Sequence, residues 1–146
     1  MELQTKLFGK IEYNKDEILH FPAGIFGFEE EHEFLLLPFE GSEGAMLCLQ
    51  SMTNPYLAFI VLDPFRYYPA YQPAVSDADR KLLGADSSDE LCYYVLCVIK
   101  DPVSESTVNL RCPVVIDPKT STACQIIMEG NASSIRHSIG DPVGEA

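Results

Sequence analysis

The sequence predicts a mainly β protein, a small closed or half-closed antiparallel β-barrel-like domain with one or two short helices. Eight short segments rich in aliphatic, β-branched and aromatic residues are each bounded by Gly, Pro, Asp or Ser. The connections between them are brief turns, such as EGSEG (40–44), TNP (53–55) and KDP (100–102). Only residues 76–84 carry clear helix start and stop signals. Closing such strands into a barrel removes the exposed edges that an open sheet would leave.

The strand candidates, in order, are 3–13, 17–21, 33–39, 45–51, 57–63, 91–99, 108–116 and 123–128. EGSEG joins the third and fourth as a five-residue hairpin loop with a glycine near each end. In SDADRKLLG, Ser76 is the N-cap, Asp79 follows three residues later and Gly84 ends the helix. A second helical turn starts at SSDEL (87–91). A chain of 146 residues fits one domain, assigned to 1–130, followed by a polar tail, 131–146, partly helical at SSIRHS or frayed. The N-terminus lacks the apolar stretch of a signal peptide and no run of 18 apolar residues occurs, so a soluble cytoplasmic protein with no membrane association is expected.

Charge narrows the function classes. Twenty-two acidic residues against ten basic ones leave a net charge of −12, which repels nucleic acid and anionic lipid and attracts basic proteins. Direct nucleic-acid binding is therefore not expected. The five cysteines form no CxxC pair, which argues against a disulfide framework and a zinc site and for reduced, mostly buried thiols. His20, His32 and His137 lie in no nucleophile or metal pattern, and there is no G-x-S-x-G, H-E-x-x-H or P-loop. The chain reads as no enzyme, with no cofactor and no metal.

Recognition remains. DPFRYYPAYQP (63–73) places Phe65, Tyr67, Tyr68 and Tyr71 among three prolines, which limit the backbone and present the rings at low ordering cost. Asp77, Asp79, Asp86, Asp89 and Glu90 follow directly, so an aromatic anchor beside a negative rim would suit a basic partner. The alternative is a loop folded back to cover one end of the barrel, and the two readings can hold for different rings. In FPAGIFGFEEEHEF (21–34), Gly24 and Gly27 supply positive φ for a tight loop that tucks Phe21, Ile25, Phe26 and Phe28 into the core before the glutamates surface. Asn109 in VNL is expected to close a backbone turn.

Together these segments resemble one family. FPAGIFGF (21–28), LLLPF (35–39), LQS (49–51), LAFIVLDPF (57–65), STVNLRCPVVID (106–117) and QIIM (125–128) match, in order and spacing, the FliW family of flagellar assembly factors. Its specific pattern combines the G-x-x-G-F loop ending at Phe28, the DPF turn at Asp63 and Pro64, and T-V-N-L-x-x-P with Asn109 and Pro113. Phe26 stands where the family loop usually carries proline, and Cys112 where a small residue is usual. The resemblance implies a compact β barrel without catalytic activity that binds flagellin before export. It also implies binding of the small RNA-binding translational repressor CsrA, which relieves repression of flagellin synthesis. A monomer is expected for the free protein. Two other classes remain open: a small barrel holding a planar ligand such as a flavin against its tyrosines, and a self-associating structural subunit.

Overall fold

The structure, a computed structural model, describes residues 1–68, 71, 73, 75–84, 91–98, 105–128 and 137–138. Its centre is a closed barrel of seven strands. These are β3 (Leu19–His20), β4 (Glu33–Pro38), β5 (Met46–Ser51), β6 (Ala58–Leu62), β7 (Cys92–Val98), β9 (Val114–Asp117) and β10 (Thr122–Gln125). From β3 to β7 each strand pairs antiparallel with the next. Strand β9 then pairs with both β7 and β10, and a parallel contact between Thr122 of β10 and His20 of β3 shuts the ring.

Period-two alternation decides what fills it. Phe34 and Leu36, Leu47 and Leu49, Phe59 and Val61, Tyr94 and Leu96, Val114 and Ile116, and Ala123 form one cluster. Phe21 and Ile25 join it from the loop after β3. Phe21 and Phe34 meet edge to face at 5.2 Å. A barrel of this size is filled by side chains rather than left as a pocket.

The other face of the strands is covered as well. Helix α1 (Pro64–Tyr67) and the segment after it bring Tyr68 and Tyr71 onto Leu62, Val95, Cys97, Val108 and Leu110. Helix α2 (Asp77–Leu83) sets Leu83 against Leu91, Val115, Cys124 and Ile126. Its ends follow the expected capping. The Asp79 N–H donates to Ser76 Oγ at 3.1 Å, and Gly84 closes the helix at φ +73°.

Three expectations change. The first strand candidate, 3–13, is a separate hairpin of β1 (Glu2–Thr5) and β2 (Gly9–Glu12), because Gly9 adopts φ +66° and Thr5 bonds across the turn. The candidate at 108–116 divides into β8 (Thr107–Val108) and β9, separated by a bend at 109–113. There the Cys112 N–H donates to Asn109 Oδ1 at 3.0 Å, the turn closure expected of that amide. Within the tail, His137–Ser138 forms β11 against β8 rather than a helix. The second helical turn suggested for 87–91 falls outside the described residues up to Leu91.

Of the five thiols, Cys48, Cys97, Cys112 and Cys124 are buried and Cys92 is exposed. Cys92 and Cys97 thus face different surroundings, as their five-residue spacing on a strand requires.

Candidate partner-binding surfaces

Strand direction gives the barrel two unlike ends. At one end lie the 39–45 loop, the start of β7, the 118–121 loop and α1. At the other lie the 21–32 and 52–57 loops, the end of β7, the 109–113 bend and residues 126–128.

Helix α1 is fixed by its own short sequence. Asp63 is its N-cap, accepting from the Phe65 N–H at 3.1 Å, and buried Pro64 sits in the first turn. The Pro64 carbonyl then accepts from the Tyr68 N–H at 2.7 Å. This geometry sorts the four rings. Phe65 and Tyr67 are 42% and 41% exposed, whereas Tyr68 and Tyr71 are 2% and 3% exposed. Tyr68 and Tyr71 are therefore core residues, and the expectation that all four rings face a partner is corrected for these two. Tyr71 anchors the segment by donating its hydroxyl to the Leu110 carbonyl at 2.6 Å. Burial, with Cys112 and Tyr93 alongside, pushes that hydroxyl well above the usual phenol range, so it remains a donor.

Tyr93 connects α1 to α2. Its ring meets Phe65 edge to face at 5.9 Å and also packs on the cluster that contains Leu83. Asp77 and Asp79 lie in the first turn of α2, Asp77 exposed and paired with Arg80. Phe65 is thus linked through Tyr93 to the cluster on which α2 packs. Asp86, Asp89 and Glu90 lie outside the described residues.

The opening loop departs from its expected role in one respect. Gly24 and Gly27 do take positive φ, +71° and +88°, and Phe21 and Ile25 are buried. Phe26 and Phe28, however, are exposed. A tight turn explains this: the Phe28 N–H donates to the Ile25 carbonyl at 2.6 Å, so Phe26 and Gly27 form its tip and cannot reach the core. Phe28 instead packs edge to face on the partly buried Phe59 at 5.2 Å. Sequence reasoning missed this exposed pair. The available signal was the position of Phe26 between the two glycines, where a turn tip faces outward.

Pro113 is buried and its carbonyl accepts from the Ile126 N–H at 3.0 Å, which makes it a structural residue. Among the described residues, no group of three or more His, Cys, Asp or Glu side chains is placed to hold a metal ion. No helix among them is long and apolar enough to cross a membrane.

Comparison with known proteins agrees with the architecture. The family model described as "FliW protein" matches residues 2–139. The flagellar assembly factor FliW of Caldanaerobacter subterraneus is 36% identical over 139 residues, covering 95% of this chain and 93% of that one. The corresponding protein of Oceanobacillus iheyensis is 35% identical over 143 residues, covering 97% and 96%. A crystal structure of the flagellar assembly factor FliW superposes with a TM-score of 0.88 at 31% identity, over 95% of this chain and 96% of that one. With its seven-stranded barrel and these full-length matches, the chain belongs to the FliW family of flagellar assembly factors.

Proposed function

We propose that this chain is a non-catalytic cytoplasmic regulator that binds flagellin and the translational repressor CsrA, one partner at the expense of the other. Family membership over nearly the whole chain is the observation that carries this reading. The exposed pair Phe65 and Tyr67 on α1 supplies a surface for it. Rigidly held aromatic side chains bury large apolar area at low entropic cost, which suits an apolar segment of unassembled flagellin.

Antagonism of CsrA follows from charge. A surface that binds RNA must be basic, and docking a protein of net charge −12 nearby lowers its potential and disfavours phosphate. Base readout by this chain is not required.

Binding of the purified chain to purified flagellin and to CsrA, measured by calorimetry, tests the reading. Both should form soluble complexes, and added flagellin should release RNA-competent CsrA. Failure of the chain to bind either protein would overturn it.

A further inference from the structure

We infer a second docking surface, built on the Phe26–Phe28 turn at the barrel end opposite α1 and shaped for a partner segment in which Lys or Arg flanks apolar side chains. The inference rests on the reading that the chain acts by binding other proteins, and adds a place that Phe65 and Tyr67 do not supply.

Exposed apolar side chains gather at this end. Phe26 is 48% exposed at the turn tip and Ile127 62% exposed just beyond β10. Phe28, Tyr56 of the 52–57 loop and Val98 at the end of β7 are also exposed. All five belong to segments that leave or enter the barrel at the same end. Exposed large apolar side chains grouped in this way mark interaction surfaces, whereas single scattered ones do not.

The segments are tied together before any partner arrives. The Phe26 N–H donates to Gln125 Oε1 at 3.0 Å, and Gln125 Nε2 donates to the Cys112 carbonyl at 3.1 Å. Glu31 Oε2 accepts from Ser51 Oγ at 3.0 Å and from Thr53 Oγ1 at 2.6 Å. Gln50 is buried, and its Nε2 donates to the carbonyls of Ser51 and Asn54 at 3.1 and 3.2 Å, holding the 52–57 loop. These bonds join three loops across the barrel end, so a partner would meet a preformed surface and lose little entropy on binding.

Charge selects the partner. Glu29, Glu30 and Glu33 are exposed beside the phenylalanines, Glu31 is half-buried there, and Glu105 is exposed between the end of β7 and β8. Against them, among the described residues, stand Lys6, whose ammonium lies 5.8 Å from the Tyr56 ring, and the half-buried Arg111. An apolar platform with this rim repels a second copy of an acidic chain and an anionic membrane alike, and favours a basic segment with greasy side chains.

Fluorescence anisotropy with a labelled 12-residue peptide of alternating Lys and Leu tests the inference. The expected result is saturable binding to the full chain that weakens about tenfold in Phe26→Ser and in the double variant Glu29→Gln, Glu30→Gln. Phe26→Ser keeps the backbone bond to Gln125, and its melting temperature should match that of the parent chain. The double variant Glu40→Gln, Glu43→Gln removes the same charge from the exposed 39–45 loop at the opposite end and should bind like the parent. Equal weakening by the two charge pairs would reduce the effect to net charge and overturn the inference, as would binding that Phe26→Ser leaves intact. A dimer abolished by Phe26→Ser would overturn it in favour of self-association. If flagellin and CsrA bind while the peptide does not, this surface fails alone; if neither protein binds, the underlying reading fails instead.

Discussion

Tyr71 and Leu110, 39 positions apart, are joined by a hydrogen bond of 2.6 Å from the tyrosine hydroxyl to the leucine carbonyl. The bond fastens the end of the aromatic segment to the bend between β8 and β9. Tyr71→Phe removes the donor and leaves a buried carbonyl short of a partner, at a cost of about 1–3 kcal/mol. The chain should melt several degrees lower while its partner affinity holds, as differential scanning calorimetry beside a binding titration would show.

Tyr67 should behave in the opposite way. Its ring is 41% exposed and meets Tyr68 at a tilted 6.4 Å. Tyr67→Ser together with Phe65→Ser should leave unfolding in urea within about 0.5 kcal/mol per site of the parent, apart from the lost ring contacts of Phe65 with Tyr71 and Tyr93 and of Tyr67 with Tyr68. Affinity for flagellin should fall at least tenfold in isothermal titration. Unchanged affinity would remove α1 from the binding surface.

Gly24 has no tolerable replacement. Its φ is +71°, and an added Cβ would lie 2.6 Å from the Glu29 Cα, a backbone atom that cannot swing aside. Gly24→Ala should destabilise the fold by about 2 kcal/mol or more, read from chemical denaturation. Gly27, with open space around the same position, should tolerate alanine better despite its positive φ.

The thiols predict an alkaline limit. Burial pushes Cys48 from the ordinary 9.0 up to about 11, and burial with Asp79 nearby pushes Cys124 up to about 12. Between pH 9 and these values the folded chain keeps protons that the unfolded chain has released. Stability should therefore fall as pH rises through that window and be insensitive to these groups below it. Urea midpoints measured across that window check the sign. In the native protein, iodoacetamide should modify Cys92 first, since the other four thiols are buried.

CsrA binding should be sensitive to ionic strength. If the −12 charge drives displacement of RNA, raising salt from about 0.05 to 0.5 M should weaken both the affinity and the displacement, because the screening length contracts to a few ångströms. Displacement that survives high salt would assign the effect to shape.

Much of this architecture was legible in the chain because local signals and tertiary demands coincide. Continuous apolar runs in EFLLLPF and MLCLQS, bounded by turn residues, report buried strands, and Ser76 with Gly84 brackets α2. The misses arise where local pattern and tertiary position diverge. Phe26 and Phe28 look like core residues by type, but a turn closed between Ile25 and Phe28 faces the tip outward. Tyr67 and Tyr68 are neighbours of one residue type, yet the helical step turns one to solvent and the other inward. The ties from Gln125, Glu31 and Gln50 were invisible because each joins segments that the fold alone brings together.

The parallel contact of Thr122 with His20 means that the ring is completed by residues more than a hundred positions apart. Because β3 to β7 precede β9 and β10 in the chain, they leave the ribosome before the strands that bridge them. Until then the nascent product is an open sheet whose outer backbone groups can pair with any neighbouring chain. Products truncated ahead of Val114 should be insoluble for that reason, and the closed ring is reached only as translation nears its end.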